Sequence, residues 1–259
     1  MLLYLYLHKY KNMKKLILTI LASSFLLSCS TDSSNDDSNN SSNLLPSKII
    51  FSGPTATGID NNSVANFEYS GSKILRTFYD DNSETIFTYS GDLITNAVTT
   101  GVSNGVPFVI NQIYTYDNNN RLILYTKGSS KIEYTYLTNN QVSEKTYELD
   151  NNSGQFEQIG DNIITLNSNN EIVEVAYNNL FGGEDYIETY VYENRNNPFK
   201  NIIGHDKIYI IDKEGNSHNV LNISRSNGLN YREYFYTYND LNYPVTRQGT
   251  GGTIQYFYD

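Results

Sequence analysis

Tryptophan is absent from this 259-residue chain, cysteine occurs once and histidine three times. A single cysteine excludes any internal disulfide, so the fold must be stabilised by packing alone. With so few histidines, no HExxH and no spaced Cys/His cluster, a catalytic zinc site would have to be completed by carboxylates. The missing tryptophan weakens a sugar-stacking role, and the chain has no Gly-x-Ser-x-Gly elbow for a serine nucleophile. Gly182-Gly183 and Gly249-Thr250-Gly251-Gly252 lack the following helix or Lys-Ser/Thr pair of a phosphate loop and read as hairpin turns. No apolar run reaches the roughly 20 residues of a membrane-spanning helix. Basic residues are also in deficit and form no stripe, which argues against nucleic acid as a partner.

The longest apolar run, Leu16 to Leu27, covers 12 residues directly after Lys14-Lys15. That is the length of a signal-peptide h-region behind a positive n-region. Met13 supplies a compact start, and Met1 to Asn12 has no role in export. The run closes on Leu26-Leu27-Ser28-Cys29, which resembles a bacterial lipobox. The resemblance implies cleavage after residue 28, acylation of Cys29 and attachment to the outer membrane through acyl chains, of which two or more are needed for stable anchoring. Residues 29–46, beginning CSTDSSNDDSNNSSN, have almost nothing to bury and read as a disordered tether. Asp32, Asp36 and Asp37 resemble the acidic surface-export signals of Bacteroidetes-type lipoproteins, which implies display on the cell surface. Removing residues 1–28 takes away Lys9, Lys11, Lys14 and Lys15 and no acid. The remainder carries 14 basic against 28 acidic residues, a formal charge of −14 that suits a solvated surface.

Residues 47–259 read as a single domain that repeats one phrase: Phe67-Glu68-Tyr69, Phe87-Thr88-Tyr89, Tyr114-Thr115-Tyr116, Tyr134-Thr135-Tyr136, Tyr190-Val191-Tyr192, Tyr236-Thr237-Tyr238 and Tyr256-Phe257-Tyr258, with a degenerate copy at Ile164-Thr165-Leu166. Aromatics at i and i+2 share one face of an extended strand. Turn clusters such as Ser70-Gly71-Ser72, Ser90-Gly91-Asp92 and Asp117 to Asn120 follow, and then an aliphatic return such as Ile74-Leu75 or Leu122-Ile123-Leu124. Strand, polar turn, strand is a hairpin. Beyond the signal region no stretch keeps helical periodicity for three turns. The expected fold is all-β, an antiparallel meander of twelve to fifteen strands curled into a barrel-like or strongly twisted sheet, since large twisted sheets tend to close.

Tyr114-Thr-Tyr-Asp-Asn-Asn-Asn-Arg-Leu122 resembles the YD repeat of Rhs-type proteins, Tyr-x-Tyr-Asp-x-x-Gly-Arg-Leu, with Asn120 in place of glycine. True Rhs shells are far longer. Tyr192-Glu-Asn-Arg-Asn-Asn-Pro-Phe199 and Tyr236-Thr-Tyr-Asn…Tyr243-Pro244 are similar to elements of Bacteroidetes lipoproteins of unknown function, some with porin-like barrels. The resemblance implies architecture rather than activity.

The chemistry-bearing residues form no motif. His205-Asp206 and His218 are expected on loops flanking a strand at 207–212. Glu133, Glu144, Glu148, Glu174, Glu188 and Glu233 lie in or near strands, and two carboxylates about 5–10 Å apart would suffice for a glycosidase, but no local pattern selects a pair. Asp150-Asn-Asn-Ser-Gly154 alternates oxygen ligands as calcium prefers, yet position 161 is Asp rather than the closing Glu, so it reads as a polar turn. Of the 24 tyrosines, 21 lie beyond the signal region; they read as strand-face core rather than a stacking platform. The sequence therefore favours a non-enzymatic binding or structural β domain without metal or cofactor, taking an extracellular glycan or peptide. A glycosidase-like hydrolase is the competing class. A membrane-spanning barrel is a third, disfavoured by strands that look short and by the acyl anchor.

Overall fold

The computed structural model describes residues 44–54, 60–181, 183–228, 232–249 and 251–259. The proposed signal segment, Cys29 and nearly all of the tether lie outside the described residues. The first eight strands are β1 (Pro46–Pro54), β2 (Asp60–Ser70), β3 (Lys73–Tyr79), β4 (Glu84–Ser90), β5 (Leu93–Ser103), β6 (Val106–Tyr116), β7 (Leu122–Lys127) and β8 (Ser130–Tyr136). Then come β9 (Gln141–Leu149), β10 (Phe156–Leu166), β11 (Ile172–Asn178), β12 (Tyr186–Asn196), helix α1 (His205–Asp212), β13 (His218–Arg225), β14 (Arg232–Tyr238), β15 (Pro244–Gly249) and β16 (Gly252–Tyr258).

Each strand pairs antiparallel with the next, and β16 returns to β1, giving a closed sixteen-stranded barrel. Closure leaves no free sheet edge. The strand count exceeds the expected range by one. Five strands run to 11 residues, longer than the turn spacing implied.

The repeated phrase explains the wall. The first aromatic of each pair points inward and is paired across the hairpin with another inward residue: Phe67 with Thr77, Phe87 with Ala97, Tyr114 with Tyr125, Tyr134 with Glu144 and Tyr236 with Arg247. Ile164, opposite Val175, fills the same place in the degenerate copy. At the second aromatic, or at Leu166 in the degenerate copy, the return strand carries an extra residue, Leu75, Thr95, Ile123, Val173, Leu221 or Val245 in six hairpins. A bulge shifts the alternation by one. Inward residues therefore fall at i and i+3 on those strands, as in Ile74/Thr77, Ile94/Ala97 and Ile172/Val175, all buried.

The second aromatic seals the rim with its hydroxyl. Tyr69 donates to the Pro46 carbonyl at 2.8 Å, Tyr116 to Ile94 at 2.7 Å, Tyr192 to Ile172 at 2.8 Å and Tyr258 to Pro244 at 2.8 Å. The turns share a build as well. The Asp117 carboxylate accepts from the N–H groups of Asn119 and Arg121, and Asn120 takes φ +58°. Asn167 with Asn170, and Asn239 with Asn242, repeat that arrangement. Asx side chains suit such reversals and tolerate left-handed backbone.

One segment departs from the meander. Residues 197–217 enter the barrel at this rim as a plug that contains α1. The plug is tied to the rim by the Ile203 N–H on the Ser72 carbonyl, by Tyr89 donating to the Ile203 carbonyl and by Tyr209 donating to the Asn170 carbonyl. The expected strand at 207–212 is thus a helix, and His205 opens it rather than sitting on a loop; His218 begins β13. The apolar Ile208-Tyr209-Ile210 reads as strand by composition. Inside a closed barrel, however, every wall strand is already paired on both sides, so an inserted segment must satisfy its backbone groups within itself. Gly204, at φ +85°, caps the helix start where a Cβ would come within 3.0 Å of the Asp92 carbonyl.

Candidate functional site

Two residues before the first inward residue of each phrase lies a further inward position; it stays apolar at Ala65, Ile132 and Ile254 but turns polar over β4–β6 and β10–β13. Thr85 faces Thr99, Gln112 faces Lys127, Asn162 faces Tyr177 and Glu188 faces Arg225. These residues form a polar belt beneath the aromatic ring. The C-terminal end of α1 descends into it, carrying Asp212, Lys213 and Glu214.

The belt is organised as ion pairs. Glu188, 2% exposed, receives Arg225 Nη2 at 2.8 Å and Arg232 Nη2 at 3.3 Å. The hydroxyls of Tyr190 and Tyr177 donate to the same carboxylate at 3.1 and 3.3 Å. Glu144, also 2% exposed, takes Lys213 Nζ at 2.7 Å and Asn162 Nδ2 at 2.8 Å. Arg247, over the Tyr234 ring at 4.9 Å, meets Glu214 at 2.9 Å. Buried ions persist when each has such a partner.

Between the α1 terminus and the β11–β15 wall lies a cavity of about 150 Å³, lined by Glu188, Asp212, Lys213, Glu214, Arg232 and Arg247, with Tyr177, Tyr190 and Tyr234 among the remaining walls. The side chains of Arg232 and Glu214 are 42% and 45% exposed, so both touch lumen solvent. Asp212 also faces that solvent but is ringed by protein. Burial, and after it the neighbouring Glu214, raise its carboxyl to about 6 against the opposing pull of Lys127 and Lys213. Burial lowers the Lys127 ammonium to about 8, with Asp212 opposing. A second, smaller cavity of about 80 Å³ lies between plug and wall, bounded by Ile49, Phe67, Ile208 and Tyr256. His205 borders it, tilted on Phe199 at 5.5 Å, and burial lowers its imidazole to about 4.

Of the six glutamates singled out by sequence, Glu144 and Glu188 face inward. Glu133 pairs with Lys131 on the outer wall, and Glu174 and Glu233 occupy outward register positions opposite Thr189 and Asn222. Glu148 lies opposite Ser130. The histidines come together neither with each other nor with the cavity: His218 sits at the rim, its Nδ1 2.9 Å from Glu171. Asp150 forms a turn, its carboxylate accepting from the N–H groups of Asn152 and Ser153. Among the described residues no cluster of three or more His, Cys, Asp or Glu side chains is arranged to hold a metal. Asp212, Lys213, Glu214, Arg232 and Arg247 went unread in the sequence. The position two residues before each phrase, the degenerate copy included, would have flagged Gln112, Asn162 and Glu188 as polar residues on an inward face.

No protein-family model and no curated protein matches the chain. Among solved structures it is similar to a porin-like protein from Bacteroides vulgatus, at 14% identity over 83% of this chain and 99% of that one, with a TM-score of 0.48. It is similar also to a porin-like protein from Bacteroides uniformis, at 9% identity over 83% and 96%, TM-score 0.38. A protein of unknown function from Bacteroides fragilis aligns at 12% identity over 55% and 81%, TM-score 0.18. Likenesses this distant carry no functional argument, and the closed barrel rests on the strand pairing of the chain itself.

Proposed function

We propose that this chain is a cell-envelope lipoprotein, anchored to the outer membrane through acyl chains on Cys29, whose barrel binds a small extracellular polar ligand in its lumen without transforming it. The observation that carries the reading is the charged, solvent-contacting cavity beside a plug that fills one end of the barrel. A polymer cannot thread past such a plug, and about 150 Å³ is well below the 300–1,000 Å³ of drug-sized sites. The occupant is therefore a single small unit, free or at the end of a glycan or peptide.

Anchoring by acyl chains fits the outer wall. Arg76 bridges Glu68 and Glu84 across β2, β3 and β4 at 3.3 and 3.4 Å, and Lys145 faces Asp161 across β9 and β10. Charge on a lipid-facing barrel wall costs about 2–4 kcal/mol per Arg or Lys at the bilayer midplane. Such a wall belongs in water, held off the membrane by the tether. A glycan-array and small-metabolite screen of the soluble domain tests the reading; failure of every compound to bind in the lumen overturns it.

Hydrolysis is the second reading, favoured by one observation: Asp212 combines a pKa near 6 with a second carboxylate, Glu214, on the same cavity, as a general acid requires. Against it, Glu144 and Glu188 are saturated by cations and hydrogen-bond donors, which leaves neither free as a base. Release of nitrophenol from aryl glycosides, lost in Asp212→Asn, would replace the binding reading with this one.

A further inference from the structure

The charges that line the lumen cavity do not cancel locally. Glu188 is a single carboxylate that receives two guanidiniums, from Arg225 and Arg232. That wall therefore holds one positive charge in excess, and Arg232 brings it to lumen solvent. Lys213 is neutralised by Glu144, and Arg247 by Glu214. The Asp212 carboxylate alone among the charged groups lining the cavity takes part in no ion pair and no hydrogen bond among the described residues. One small chamber thus has a positive pole on β14 and an unpaired carboxyl at the end of α1.

From this juxtaposition, and building on the lumenal-binding reading above, we infer that the cavity takes a small zwitterion of the amino-acid class, its carboxylate on Arg232 and its ammonium on Asp212. A simple anion would meet Arg232 but lie against the unpaired Asp212. A simple cation would meet Asp212 but lie against the excess positive charge at Arg232. A neutral sugar would leave both poles unanswered, and unanswered polar groups in a confined site weaken binding. A guanidinium fork matches a carboxylate in geometry as well as charge. The volume, about 150 Å³, admits an amino acid with a short side chain.

The same geometry makes binding pH-dependent. The groups that face Asp212 are Lys213 and Glu214 from its own segment, Tyr114 from β6, Tyr125 and Lys127 from β7 and Tyr134 from β8. Of these groups Asp212 is the one displaced to about 6, so acidification below that value removes the negative pole while a free amino acid stays zwitterionic.

Isothermal titration of the full chain in detergent with glycine, alanine and serine tests the inference, with acetate, methylamine and glucose run in parallel. At pH 7 at least one amino acid binds and the single-charge and neutral compounds bind at least about tenfold more weakly. Asp212→Asn and Arg232→Gln, each checked to unfold in a single cooperative transition well above the assay temperature, lose about tenfold or more in affinity. Wild-type affinity falls from pH 7 to pH 5, and that of Asp212→Asn does not. If acetate, methylamine or glucose binds as tightly as any amino acid, the zwitterion assignment is overturned while lumenal binding stands. If both variants bind amino acids as well as wild type does, the assignment of these two poles is overturned. If none of the six compounds binds, the zwitterion assignment is overturned, while the lumenal-binding reading is decided by the wider glycan and metabolite screen.

Discussion

Tyr114 and Tyr116 differ by two positions and do different work. Tyr114 is buried and packs on Tyr125 with ring centroids 5.3 Å apart. Tyr116 sits at the rim, where its hydroxyl holds the Ile94 carbonyl at 2.7 Å. Tyr114→Ala removes a core aromatic and should destabilise by about 3–5 kcal/mol. Tyr116→Phe keeps the ring and loses one hydrogen bond, for about 1 kcal/mol. Urea denaturation of the two variants should separate them clearly, and equal losses would show that the two tyrosines are not distinct in role. This division was half legible in the sequence. Residues i and i+2 on one face follow from strand geometry, but which tyrosine seals the rim depends on a bulge in the partner strand. That bulge is set by cross-strand register, which no single stretch of sequence contains. The YD-like residues are legible once the turn is seen: Asp117 caps the reversal, Asn120 takes the left-handed position, and Arg121 lies over the Tyr136 ring at 4.4 Å.

The plug helix escaped the sequence because it is buried on several sides. A helix between two walls has no polar stripe, so the usual periodicity is missing, and its β-branched residues read as strand. Its titrating ends give the element a pH signature. Burial lowers His205 from 6.5 to about 4, so its contribution to stability is complete above 6.5 and is lost as pH falls toward 4. Asp212 is raised from 3.8 to about 6, so its contribution is complete below 3.8 and is lost as pH rises through 6. Between about 4 and 6 the two slopes oppose each other, and the wild-type profile should lie between those of the two single variants. His205→Phe should leave the Asp212 slope alone, so that variant gains stability on acidification from pH 6 to pH 4. Asp212→Asn should lose about 2–3 kcal/mol over the same range as His205 is forced to charge. At pH 7 Asp212→Asn should be the more stable protein by only about 1 kcal/mol, because lumen water screens the carboxylate. Denaturant midpoints at pH 4, 5, 6 and 7 check all three, and parallel profiles for the two variants would show that neither group titrates as placed.

At the scale of the whole molecule, repetition was legible and closure was not. Hairpins can be counted from aromatic pairs and turns, but whether the last strand meets the first depends on twist and stagger summed over the sheet. Closure also moves the start of the domain. The described chain is already engaged at Leu44, whose carbonyl accepts from Asn201 Nδ2 at 3.0 Å, and Leu45 packs on the core. The Pro46 carbonyl accepts from Tyr69 and lies at the β1–β16 seam opposite Tyr258. Upstream, the proposed tether makes a different demand: Cys29→Ala should abolish labelling by a fatty-acid probe and release the protein from membranes, and a variant that stays labelled and bound would refute acylation at this cysteine. Neither the acyl group nor residues 30–43 should matter to the melting of the barrel, whereas residues 44–46 should. A chain beginning at Leu44 should therefore melt with one beginning at Ser30. A chain beginning at Lys48 loses two hydrogen-bond acceptors and the packing of Leu45, together about 2–3 kcal/mol. For a domain of this size that lowers the melting temperature by roughly 5–10 °C. Equal melting of all three chains would show that the seam tolerates its loss and that the barrel begins at Lys48. A lower melting temperature for the Leu44 chain would instead show that the Ser/Asp/Asn segment packs on the barrel rather than tethering it.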